Sequence, residues 1–376
     1  MWGGEQPPAG TVTAVDLQGV RVMLGDGSSV LLGWEQVREV RGARRPQFEA
    51  IRDDARAVWR AHTRLRRGDL VNAEPLLEGL MDRYAGRAGP TSSLVARGLL
   101  RCRLARGARA AAVEAWLATL EAERWSPADG RAPDADGLID AATGLAPAIP
   151  PVWLDDEQSG WLSVQGAGAA IDDDDTPRDR TWALGELYRI SAAFETGGEG
   201  REDLSNRLAK VYELVGADLS RDPGLALVSE VVMARVGDPE QRASARRALE
   251  ARLAQRPEPW REAWVRVAIG RSLILEADEE DRRRGVVQLM HLPARLGSVS
   301  PTLASIALAQ GAVTLRELGD TRGASTLRSV LLEQYPASEG ARWRVIQDWA
   351  APSDRLGVRD AAPAERSVIS GRESSS

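Results

Sequence analysis

The chain has one cysteine, Cys102, in 376 residues. A single thiol cannot close an intramolecular disulfide or build a cysteine-based metal cluster, which fits the cytosol and is also compatible with a bacterial envelope. Histidine is nearly as scarce, with only His62 and His291. Neither stands in the His-Glu-x-x-His spacing of a zinc helix. Lysine is reduced to Lys210 against forty-eight arginines. So extreme a bias reads as the mark of a GC-rich bacterial genome, not as a set of nucleic-acid ligands. Phenylalanine is limited to two residues, beside four tyrosines and twelve tryptophans. No apolar run approaches the ~20 residues that span a bilayer. The opening MWGGEQPPAG lacks the basic and apolar regions of a secretory signal. Gly-x-Ser-x-Gly and the phosphate-binding P-loop are also missing.

What is present can fold. The chain is 43% hydrophobic and 28% charged, enough for a large core and too apolar for a disordered protein. Its length exceeds what one compact core usually organises, a limit that a stack of repeats avoids. The net charge of −6 is unevenly placed. Residues 126–180 hold twelve Asp/Glu and three Arg, a net of −9. Residues 46–125 hold fourteen Arg and ten Asp/Glu, a net of +4. One acidic segment therefore separates two helical blocks, and its expected form is a solvated loop. The charge of the whole chain lacks the basic footprint of a DNA- or RNA-binding protein.

Two distant stretches share one spacing. Ala61, Gly68-Asp69, Ala73, Leu76, Leu80 and Tyr84 recur without gaps as Ala312, Gly319-Asp320, Ala324, Leu327, Leu331 and Tyr335. The pattern predicts a helix, a tight turn at Gly-Asp, and a second helix with small and apolar residues on one face. Asp69 and Asp320 are each placed to cap that second helix. Such units bury their apolar faces only by stacking on neighbours. A weaker copy sits at Gly107, Ala112 and Ala115, where Thr119 replaces the apolar position.

Residues 11–42 read differently. Thr11–Val15 and Val20–Leu24 alternate, Gly25-Asp26-Gly27 is a hairpin signal, and Val30–Trp34 follows. Three short strands need a further strand, a partner or a helix to cover them. From Pro46 the period changes to 3.6, giving four helices in two antiparallel hairpins. Prolines at 127, 133, 147, 150, 151 and 177 then break the rhythm. A short helix is expected near Asp136–Leu145, with Val152-Trp153-Leu154 and Trp161-Leu162 as anchors. Helices are predicted again over 181–195, 201–218, 222–236, 239–255, 258–277, 281–296, 301–318, 321–335 and 338–350.

The Gly-Asp/Ala/Leu/Tyr spacing resembles the tetratricopeptide repeat (TPR) family in its first and last units. The N-terminal strands resemble the small SH3-like or Sm-like barrels, without the strand that usually precedes them. The resemblance implies a mainly α, TPR-like solenoid of antiparallel helical hairpins with a small β-module. Its concave groove is expected to take a peptide or protein partner. The expected organisation is a β-module at 1–45, helical hairpins at 46–125, an acidic Pro/Asp-rich linker or loop at 126–180, helical repeats at 181–350 and a disordered tail at 351–376. The missing strand also raises the expectation of a true start upstream, which would make a cytoplasmic protein extracytoplasmic.

The residues that carry chemistry elsewhere read plainly here. His62 and His291 are isolated imidazoles. Asp172–Asp175 lacks the alternate acids and central glycine of a calcium loop. Gly166 and Gly168 lack the strand and helix of a dinucleotide turn. Cys102 lies among Leu99, Leu100 and Leu104 as a small core residue. Asp278–Asp281 and Arg282–Arg284 face each other as local pairs. Trp59, Trp116, Trp182, Trp260, Trp264, Trp343 and Trp349 fall on helices, where they pack between neighbours or line a groove. No catalytic, cofactor or metal residue is assigned. The expected function is a non-enzymatic interaction scaffold with no cofactor and no nucleic acid. The alternatives are an enzyme or ligand-binding protein with a site in 126–180, and nucleic-acid binding by the β-module.

Overall fold

A computed structural model describes residues 1, 8–124, 137–154, 156–164, 179–216 and 221–349. The acidic run Asp172–Asp175, the Gly166–Gly168 turn and the 351–376 tail, all named above, lie outside them. The described residues form a mainly α, solenoid-like fold of fifteen helices packed in sequence, with one small sheet at the N-terminus.

The sheet is antiparallel in the order β1 (Gly10–Asp16), β2 (Gly19–Leu24), β3 (Ser29–Leu32). Alternation puts Val20 and Val22 on the buried face. Their cover comes from the chain itself. Trp34 is fully buried, lies 5.6 Å from the Phe48 ring, and donates its indole N–H to the carbonyls of Asp16 and Leu17. The β1–β2 turn also caps a distant helix. Gln18 Oε1 accepts from Ser92 N at 3.1 Å, and its amide donates to Ser92 Oγ at 2.7 Å. These bonds satisfy a donor at the start of a helix whose own preceding residue, Gly89, has no side chain to offer.

Four helices follow: α1 (Arg45–Arg66), α2 (Leu70–Tyr84), α3 (Pro90–Ala105) and α4 (Arg109–Ala122). After α5 (Glu157–Val164) come α6 (Arg180–Thr196), α7 (Arg201–Val215), α8 (Pro223–Val236), α9 (Pro239–Ala254), α10 (Pro259–Leu273) and α11 (Glu279–His291). The chain ends in α12 (Pro301–Glu317), α13 (Thr321–Gln334), α14 (Glu339–Arg342) and α15 (Arg344–Gln347). The helix predicted over 281–296 stops at His291, and a π-turn at Leu292–Leu296 carries Pro293. The helix predicted over 338–350 is two short ones, because Trp343 is extended at ψ 126°.

The turns at Gly68, Gly107 and Gly319 are one structure built three times. Each glycine is left-handed, at φ +73°, +76° and +83°, which a side chain would oppose. In each, the residue after glycine donates its N–H to the carbonyl five residues back: Arg64, Arg103 and Leu315. Four residues beyond, Ala73, Ala112 and Ala324 are fully buried. The capping expectation holds for one aspartate of two. Asp320 accepts from Gly323 N at 2.8 Å. Asp69 makes no backbone cap; it takes the Asn72 amide at 2.8 Å and the Arg64 guanidinium at 2.7 Å instead.

From α4 onward the helices form two layers. The helices α4, α6, α8, α10 and α12 each touch the next in that row. They are buried on most sides, their charged residues included: Glu186 on α6 and Arg271 on α10 lie inside. In α12 the run Leu303–Ala312 is buried without a break. The alternate helices α7, α9, α11 and α13 are amphipathic and bury a few residues each, such as Ala324 and Leu331 in α13. Among the described residues, no helix is long and apolar enough to cross a membrane.

Candidate functional site

The inner row of helices surrounds a segment of the same chain. Residues 140–154, expected as part of a solvated linker, run as a strap against α4, α6, α8 and α10, folded by turns in which Ile149 N donates to Ala146 O and Val152 N to Pro150 O. Leu145, Ala146, Ile149, Val152, Trp153 and Leu154 are fully buried. The Val152-Trp153-Leu154 anchor is therefore real, whereas Trp161 on α5 stays 37% exposed. The short helix expected near Asp136–Leu145 is a turn across Asp140–Thr143, closed when Asp140 Oδ2 accepts from Thr143 N at 2.9 Å.

Proline explains why the strap needs its surroundings. Pro147, Pro150 and Pro151 have no N–H, so the segment cannot pair with itself as helix or sheet. Its carbonyls still need donors once buried. Side chains of the inner helices supply them. From α4, Trp116 Nε1 donates to Gly144 O at 3.0 Å, and Arg109 donates to Val152 O at 3.0 Å and Pro150 O. From α6, Tyr188 donates to Ile149 O, Ser191 to Pro151 O at 2.9 Å, and Arg180 to Thr143 O. From α10, Trp264 Nε1 reaches Pro147 O at 3.1 Å and Arg271 reaches Trp153 O at 2.7 Å. Seven side chains on three helices thus satisfy eight carbonyls. Helix α8 makes its contact by backbone. A Cβ on Gly224 would stand 2.2 Å from Thr143 O, so the approach requires glycine.

The charges around the strap are buried and paired. Arg109 lies 4.6 Å from the centre of the Trp153 ring and donates to Glu339 Oε2 at 3.0 Å. That bond joins α4 to α14 across 230 residues of sequence. Glu195 on α6 sits between Arg235 on α8 and Arg271 on α10, at 2.8 and 3.0 Å. Burial pushes the Glu195 carboxyl up, but the two guanidiniums together outweigh it and hold the group below the usual carboxylate range. Burial also pulls Arg271 down to about 10, leaving it charged at neutral pH. Arg271 further donates to Gln310 on α12 at 2.9 Å. At the strap's other end Asp140 accepts from Arg261 at 2.9 Å. Burial raises Asp140, and bonds from Thr143 and Arg261 bring it below its ordinary value.

The residues singled out in the sequence do not converge on this site. His62 is half-buried on α1, and His291 is half-buried at the end of α11. Burial lowers the His291 imidazole, and Arg266 and Arg295 lower it further. Burial pushes the Cys102 thiol up to about 11, which leaves it inert. Asp278 caps α11 and Arg283 pairs with Glu279 at 2.9 Å, the local pairing expected there. Of the tryptophans, Trp116 and Trp264 belong to the site, each with its ring buried and its N–H on the strap. Among the described residues, no three His, Cys, Asp or Glu side chains are grouped to hold a metal. The arginines and Tyr188 were not singled out, because their role depends on a carbonyl 37–118 residues away. No family model, curated protein or solved structure matches this chain.

Proposed function

We propose that this chain is a non-enzymatic interaction scaffold that holds a peptide or protein partner. One observation carries the reading. The inner face of the helical stack holds a proline-rich segment of its own chain by the backbone carbonyls, using side-chain donors from α4, α6 and α10. That arrangement holds a polypeptide by its backbone. The repeated Gly-Asp/Ala/Leu/Tyr spacing supports the same reading, since a TPR-like stack is suited to such a task. The alternative of a catalytic site in 126–180 gains no support from residues 140–154, whose side chains are largely buried in packing and whose carbonyls are mostly bonded. The test is capture of cross-linked partners by the tagged full chain in its own cells, then reconstitution from purified components. Calorimetry is expected to give saturable binding without turnover. Turnover abolished by substitutions in 126–180, or the failure of every purified candidate to bind, would overturn the proposal.

A further inference from the structure

We draw no further inference here: the strongest candidate, the apolar groove between α11 and α13 lined by Val286, Met290, Leu315 and Leu327, is an unpartnered helix face, and nothing in the structure shows what covers it.

Discussion

At the scale of single residues, two aspartates in equivalent turns separate geometry from chemistry. Both follow a left-handed glycine, yet Asp320 caps its helix and Asp69 is drawn off by Arg64 and Asn72. Removing a cap costs about 0.5–2 kcal/mol. Asp320→Ala should lose that much in chemical denaturation, and Asp69→Ala should lose less. The reverse order would mean the caps are assigned wrongly. Glu195 gives a prediction in pH. Its folded carboxyl titrates below the unfolded value of about 4.3. Its contribution is therefore complete above that pH, and is lost as pH falls through the lower, folded value. Glu195→Gln leaves Arg235 and Arg271 buried without their counter-charge, an expected loss of about 3–5 kcal/mol at pH 7. The difference between native chain and variant should shrink as the pH falls below 4. A difference that stays constant from pH 7 to pH 3 would remove Glu195 as the charged partner.

At the scale of elements, the strap and α5 offer a controlled comparison from one stretch of sequence. Trp153 is fully buried and Trp161 is 37% exposed. Truncating a buried tryptophan to alanine costs about 3–5 kcal/mol. A surface change usually stays within about 0.5 kcal/mol. Trp153→Ala should therefore be much the more damaging in urea titration, and equal losses would contradict the buried strap. The same elements show what a sequence can convey. Helix α12 and its turn at Gly319 were legible, because periodicity and a turn glycine are local signals. The alternation of Val20 and Val22 marked β2 in the same way. Beyond its Val152-Trp153-Leu154 anchor, the strap was not legible. Pro147, Pro150 and Pro151 erase both the 2.0 and the 3.6 period, and their composition is that of a linker. What orders them lies on α4, α6 and α10. The donors there look like ordinary surface arginines and packing aromatics until the chain is folded. Asp69 failed for a related reason: a cap competes with any cation in reach, and Arg64 was in reach.

At the scale of the whole molecule, the strap changes how the stack should unfold. In a simple repeat array each unit touches only its neighbours, so the ends can unravel alone. Here the ties skip units. Arg109 joins α4 to α14, Arg271 joins α10 to the strap and to α12, and Gln18 joins the sheet to α3. One continuous buried cluster runs from Val20 in β2 to Ala307 in α12. The chain should therefore unfold in one transition, with circular dichroism and tryptophan fluorescence coinciding. Arg109 is the residue on which that coupling most depends, because its guanidinium bonds both the strap and α14. Breaking a buried pair from one side costs about 3–5 kcal/mol. Arg109→Ala should lose about that much and split the transition, with the amides of α14 exchanging before those of α10. Replacing both partners with apolar residues, Arg109→Met with Glu339→Leu, should recover part of the loss, since no buried charge is then left alone. Two resolved transitions in the native chain would show that the strap does not bind the halves together.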